Sequence, residues 1–550
     1  MNQTAKLKEK TDTVKNVTIY LPNSWEKYLL EKLEKYPPDF NYVHIDYFKY
    51  IGQLPYHIAS KVKGRDFYQG FVPVNKAKLA QRIHNYRQYL DYLVKHKFLE
   101  EDKYYEVGEF SGGLRYPTKY LRQGIVKTAL RRPTLVKSIL SKPKGEVSLE
   151  ATILLEDLLP MEYPYLTKWI PGLGIDEKKA QKILKEVIEK ERLNPEKYRP
   201  KQKWKERRWN TRRRNQKKDD YDFIEFRHKL RCLIVKQISY GDHLNAGADK
   251  NVGRFHSFLT RLKKELRRAV TYKGKKLVSI DIVNSQPYLM VGLLDPTVFT
   301  NNTLFTKIFR YNPTLIRNIS QYFKNEERSR NVSAEKITYE QPNNTYNQSI
   351  YISYSTEEVD KGYKVKEAVE VLISTTMIVN YLLQVSENQD VVKYISWVTS
   401  GCFYERFGEE LVAYKLIPKD CSDPRKRAKE ITLTILFGKN DSKKKVKKAV
   451  RAFRKVFPTV FEITEMVKFG DSADHTHSTL ACTLQSFESD TILKHCCGTL
   501  AAEYPDLPLF TIHDSIITTE GNEHIVKEVM IKEFKNVIGY VPQFKVEHWV

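Results

Sequence analysis

The stretch Lys276–Met290, KLVSIDIVNSQPYLM, decides how the chain is to be read. An apolar, β-type run from Leu277 to Ile280 delivers one carboxylate, Asp281, to a strand end. A short turn follows, and Ser285, Gln286 and Pro287 open a helix. A carboxylate at the end of a buried strand suits a metal ligand, and it equally suits a helix cap. The two readings stay open on these residues alone, so other stretches must decide between them.

Composition narrows the field. The chain has 550 residues, 41% of them hydrophobic, enough for several domains with a large core. No apolar run has the length of a membrane span, so no membrane partner is expected. The first fifteen residues lack the apolar centre of a secretion signal, and a cytoplasmic location is expected. Six cysteines are scattered without metal-ligand spacing, which suits free thiols. The balance of 93 Lys+Arg against 67 Asp+Glu gives a net charge of +26. Nucleic acid is the common polyanionic partner for such an excess, and 35 Tyr and 25 Phe add faces on which bases can stack.

Three regions carry the organisation. In the first, apolar residues recur at Leu79, Ile83, Leu90 and Leu93–Val94, with basic and aromatic residues opposite. Strand-like runs at Tyr104–Val107 and Leu114–Tyr116 follow around a glycine turn. Helix, helix, wing is the layout of a winged helix-turn-helix, and a plain helical hairpin is its bland counterpart. In the second, the run RPKQKWKERRWNTRRRNQKKDD (Arg199–Asp220), with Arg212, Arg213 and Arg214, reads as a solvated linker that contacts phosphates without sequence preference. In the third, residues 300–390 hold an Asn-, Tyr-, Ser- and Thr-rich insertion with little hydrophobic period.

Two further motifs bear on Asp281. In Asp423–Gly438, Asp423 caps a helix that begins at Pro424. Arg425, Lys429, Leu433 and Phe437 then fall at steps of four on one stripe. Lys429 and Phe437 lie about 12 Å apart along the axis, close to the length of a nucleotide. Two cations for a triphosphate and a ring for a base would fit there; an ordinary helix with a basic first turn is the alternative. In Leu507–Glu520, LPLFTIHDSIITTE, two β-type runs flank His513-Asp514 and place Asp514 at a hairpin tip. Two strand-end aspartates that converge can hold two Mg²⁺ ions for in-line displacement at phosphorus.

Taken together, these stretches resemble the polymerase core of the family A (DNA polymerase I-type) DNA polymerases. The resemblance rests on Asp281, then Arg425/Lys429/Phe437/Gly438, then His513/Asp514, in that order. Gly253-Arg254 with Ser257, Leu266-Arg267, Gln485 with Asp490, and the closing VPQFKVEHW add smaller matches. It covers roughly residues 251–298 and 423–550. It implies an α+β right-hand fold: an antiparallel palm sheet in two parts (241–298 and 478–550), helical fingers (299–477) and a helical thumb-like region (141–240), after a winged-helix-like domain (1–140). It further implies a template-directed DNA polymerase acting on primer-template DNA and deoxynucleoside triphosphates. Asp281 and Asp514 would ligate two Mg²⁺, with Arg425, Lys429 and Arg267 on phosphates and Lys429 protonating the leaving pyrophosphate. Phe437 would stack on the base pair, and Arg254, Gln485 and His513 would contact primer or template.

The chain departs from the family in three ways. Ser285-Gln286 begins four residues after Asp281 instead of two, so the sugar-facing residue is Gln286 or Tyr288. Phe437 stands where the family has Tyr. Residues 1–220 carry no carboxylate set for proofreading. The single-subunit phage-type RNA polymerases share the same motifs, and a non-catalytic DNA-binding replication protein is the remaining alternative.

Overall fold

The structure, a computed structural model, describes residues 16–61, 70–102, 112–140, 163–198, 222–244, 246–249, 251–297, 315, 317–319, 321–323, 378–438, 444–469 and 478–550. The basic run with Arg212–Arg214, the strand-like run Tyr104–Val107 and most of the 300–390 insertion lie outside these residues. Helices and sheets mix along the chain.

The N-terminal part carries β1 (Val17–Pro22), β2 (Val72–Pro73), β3 (Glu100–Glu101), β4 (Gly113–Arg115) and β5 (Ile125–Leu130). β1 pairs antiparallel with β5, and β2, β4 and β3 form a small sheet in that order. The amphipathic run after Asn75 divides into two helices, Lys76–Arg82 and Tyr86–Lys95. The Asn75 side chain caps the first, accepting from Lys78 N at 3.0 Å. The break falls at Ile83, whose backbone is extended (φ −132°, ψ 102°). The Glu101 side chain is 1% exposed and receives Lys76 at 2.5 Å and Arg87 at 2.9 Å, which ties both helices to the small sheet. Burying that carboxylate is tolerable because two cations pair with it.

The helices Glu177–Leu193 and Phe223–Ser239 pack together through paired charges. Arg231 reaches Glu191 at 2.9 Å and Arg192 reaches Glu225 at 2.7 Å. Just before them comes β6 (Leu173–Ile175), and after them β7 (Gly247–Ala248), β8 (Phe255–His256), β9 (Val270–Tyr272), β10 (Lys275–Ile282), β11 (Phe510–Ile512), β12 (Ser515–Thr519) and β13 (Phe544–His548). The central sheet runs β11-β12-β10-β9-β6, and β13 also pairs with β10.

β10 is the strand on which this sheet is built. It is antiparallel to β12 on one side and to β13 on the other. Side chains alternate across a strand, so Leu277, Ser279 and Asp281 share one face and Val278, Ile280 and Ile282 the other. Both faces are covered. Ile280, Ile282 and Ile516 join the largest core, which extends through the helices of residues 389–503. Leu277 and Ile517 join a smaller core with Leu173, Tyr272, Phe510 and Ile512. Among the described residues no helix is long and apolar enough to cross a membrane.

Candidate active site

Two turns at the same end of the central sheet deliver the two aspartates. Asp281 is paired in register with Ser515, so Asp514 lies one residue from the position opposite Asp281. Ile512 pairs with Ser515, which leaves His513-Asp514 as a two-residue hairpin tip. His513 takes φ 52° there, a left-handed value uncommon outside glycine. On the other side, Asn284 takes φ 56° in the turn after Asp281, and its side-chain amide donates to Gly401 O at 2.9 Å. A left-handed non-glycine residue costs about 1–3 kcal/mol and persists only where its surroundings hold it. Asp514 sits in a turn of that kind, and Asp281 lies at the end of β10 just before the other.

The electrostatics are those of crowded acids. Burial pushes the Asp514 carboxyl above its ordinary value, and the charge of Asp281 pushes the same way. The hairpin backbone, the Ser285 hydroxyl and Arg254 pull it back down without cancelling the rise. Ser279 Oγ donates to Asp281 Oδ2 at 3.1 Å. A third acid stands beside them. Glu488 is 1% exposed, and burial pushes its carboxyl up to about 7, with Arg254 opposing and Asp514 adding to the rise. Arg254 Nη2 sits 2.7 and 2.8 Å from the two Glu488 oxygens, and Gln286 Nε2 donates to Oε2 at 2.7 Å.

The supports for this cluster are local. Arg254 ends the β7–β8 connection, where the Asp249 carboxylate accepts from the backbone N–H of Asn251, Val252 and Arg254 at 2.9–3.0 Å. Gln485 and Glu488 share the helix Thr479–Ser489. The hydroxyl of Ser489 lies within hydrogen-bond reach of the Gln485 carbonyl (2.7 Å) and the Val252 carbonyl (2.8 Å), so the helix and the Arg254 segment are fastened together. The helix then widens into a π-helical segment, Asp490–Cys496, a local distortion often found beside functional sites.

The helix Pro424–Phe437 is amphipathic in the way the four-residue stripe requires. Ala428, Ile431, Thr432, Ile435 and Leu436 are buried, whereas Arg425 and Lys429 are exposed and Phe437 is half-buried. Asp423 caps the start, accepting from Lys426 N at 2.9 Å. Arg425 Nε donates to Glu405 Oε1 at 2.6 Å. The Arg425 guanidinium and the Lys429 ammonium lie 5.7 and 5.9 Å from the same Tyr404 ring. Close helix packing makes this possible: a Cβ on Gly408 would sit 2.8 Å from the Pro424 carbonyl carbon. At the other end, the buried Lys468 ammonium donates to the Ile435 carbonyl and, at 3.0 Å, to that of Gly438. Cations at a helix C-terminus are favourable, yet burial lowers this amine to about 8.

The structure therefore brings Asp281, Asp514, Gln286 and Arg254 together, with Gln485 one turn from Glu488. The Arg425–Lys429 helix packs against the helix that carries Gln485 and Glu488. The His513 ring lies 6.1 Å from that of His256. Two expected residues are elsewhere. Tyr288 is 0% exposed, packs on Phe534 and donates to the Tyr540 carbonyl at 2.6 Å, so it belongs to the core behind the turn. Of the two sugar-facing candidates, only Gln286 turns towards the acid cluster. Arg267 lies over the Trp549 ring at 5.7 Å, near Glu547 on β13. Sequence reading missed Glu488, Tyr404, Glu405 and Lys468. For Glu488 a signal was present: it falls three residues after Gln485, on the same helix face.

Among the described residues no group of three or more His, Cys, Asp or Glu side chains is placed to hold a metal ion. The pair Asp281 and Asp514 nonetheless fits Mg²⁺, which takes one or two carboxylates and completes its shell with water and substrate phosphates. The charge of Asp281 helps to raise Asp514, a repulsion that a divalent cation bound between them would relieve.

No family model and no curated protein matches the chain. Among solved structures it is similar to the polymerase domain of Pol1 from M. smegmatis in complex with DNA primer-template and dNTP. The TM-score is 0.35 at 9% identity, over 70% of this chain and 68% of that one.

Proposed function

We propose that the chain is a template-directed nucleotidyltransferase with a right-hand arrangement, adding deoxynucleotides to a primer 3′-hydroxyl on a DNA template. The observation that carries the reading is the pairing of Asp281 with Ser515, which sets two acids from sequence-distant stretches at one end of the central sheet. The ordered motifs and the net charge of +26 support it. On this reading β9–β13 form the palm, the helices of residues 389–468 the fingers and the helices before residue 240 the thumb. The N-terminal helix pair and small sheet act as a winged-helix DNA-binding unit, and the basic run at Arg212–Arg214 adds phosphate contacts.

Asp281 and Asp514 would hold two Mg²⁺, which, when bound, acidify the attacking hydroxyl and neutralise charge on the departing pyrophosphate. Arg425 and Lys429 bind the triphosphate tail, and Lys429 is placed on the reading to return a proton to the leaving group. Phe437 stacks on the new base pair. Gln286 faces the sugar, and Arg254, Gln485 and His513 meet primer or template.

Primer extension on a primed DNA template with Mg²⁺ tests this, offering dNTPs or NTPs to the wild type and to Asp514→Asn. The expected result is extension with dNTPs that Asp514→Asn abolishes. Extension with neither nucleotide set sinks the enzyme reading in favour of a non-catalytic DNA-binding protein. Primer-independent synthesis from NTPs alone favours an RNA polymerase or primase.

A further inference from the structure

Glu488 has no part in the reading above, yet it is among the most deeply buried acids of the site. Its carboxylate, 1% exposed, cannot be hydrated, and a buried charge costs several kcal/mol unless it is paired and hydrogen-bonded. Its partners come from two other stretches: Arg254, 234 positions earlier, and Gln286, 202 positions earlier. A carboxylate only accepts, so the group Gln286 turns towards it is the NH₂ of its amide. That contact fixes both the rotamer and the flip of Gln286. Any rotation of Gln286, or withdrawal of Arg254, strips a partner from a buried acid that already lies in the field of Asp514.

We infer that Glu488 is a positioning residue that sets Gln286 and Arg254 in one register, and so governs the choice between deoxy- and ribonucleotides through Gln286. The inference rests on the polymerase reading. Gln286 meets the sugar; Glu488 acts through it. The sugar-facing residue and the primer-side residue are thereby tied to one helix, and nucleotide choice and primer contact are coupled.

The test is the ratio of kcat/KM for a dNTP to that for the matching NTP. It is measured in wild type, Gln286→Ala, Glu488→Gln and the double variant. A glutamine at 488 presents an NH₂ to one of two donors, so one anchor is lost. Each single variant is expected to lower the ratio by about tenfold, the scale of one misplaced hydrogen bond, and the double variant by no more than either single. The exchange Gln286→Glu with Glu488→Gln rebuilds an amide–carboxylate bond with its ends reversed. It is expected to recover most of the lost discrimination, which a merely structural Glu488 would not do. An unchanged ratio in Glu488→Gln overturns the inference, as do losses that multiply in the double variant. If Glu488→Gln alone fails to fold, the exchange variant decides: recovery supports the inference and continued loss overturns it. Failure of the wild type to extend with either nucleotide refutes the polymerase reading itself, and the inference falls with it.

Discussion

The acid cluster and the cationic stripe make a pair of opposites. In the cluster, Glu488, Arg254 and Gln286 are joined across three distant stretches, and left-handed residues stand beside both aspartates: Asn284 in the turn after the Asp281 strand and His513 next to Asp514. On the stripe, the Arg425 side chain is 53% exposed and its acidic partner Glu405 is 47% exposed. An exposed ion pair is worth only about 0–1 kcal/mol, whereas a buried charge deprived of its partner costs about 3–5 kcal/mol. The fold therefore dictates the geometry of the cluster. The stripe is fixed at its backbone by Gly408 and Lys468, and its charged ends are free to exchange one anion for another.

The largest effect expected from this contrast is on chemistry. Asp281→Asn should lower primer extension on the order of 10³-fold or more, the scale of losing a group that works as part of a unit. Arg425→Ala should act mainly through KM for the nucleotide. Comparable kcat losses in both variants would erase the distinction between a preset cluster and an adjustable stripe. Next comes the backbone of the stripe. Gly408→Ala forces a Cβ to 2.8 Å from Pro424 and should destabilise the protein by about 1–3 kcal/mol in denaturant titration. A neutral substitution would mean that the two helices are not in close contact.

The sequence made the cluster's skeleton readable because strand alternation and hairpin position are local properties. The run Leu277–Ile280 became β10, and the two β-type runs around His513-Asp514 became β11 and β12. The stripe was readable for the same reason, since helical period alone puts Arg425, Lys429, Leu433 and Phe437 on one side. What stayed hidden was set by long-range packing. Tyr288 and Gln286 are two residues apart at a helix start, and only the tertiary structure sends one to the Phe534 core and the other to Glu488. Lys468 reads as one more lysine at a helix end, and its burial against the Ile435 and Gly438 carbonyls has no local signature. The break at Ile83 was likewise masked by an apolar period that runs through it.

Lys468 provides the pH dependence. Its amine sits at about 8 in the folded protein against an ordinary 10.5, so the unfolded chain binds the extra proton between those values. Stability should accordingly gain from this group as pH rises from 8 towards 10.5. The stability difference between wild type and Lys468→Met, followed by thermal melting, should move in the wild type's favour across that window. A constant difference would mean the amine titrates normally.

The smallest effect belongs to the exposed pair. Glu405→Gln removes the anion that competes for Arg425 and should tighten triphosphate binding by about two- to fivefold, the scale of one surface ion pair. Glu409→Gln, on the helix Phe403–Ala413 that also carries Glu405, serves as the control for net charge. Weaker binding in Glu405→Gln would recast Glu405 as a support for Arg425 rather than its competitor.

The central claim is that Asp281 and Asp514 share divalent cations with a triphosphate. Titration of Mn²⁺ by electron paramagnetic resonance, with primer-template and a non-hydrolysable deoxynucleoside triphosphate present, addresses it without turnover. The account predicts protein-dependent Mn²⁺ binding beyond that of the nucleotide alone, lost in both Asp281→Asn and Asp514→Asn. Equal binding by the wild type and the two variants would contradict it.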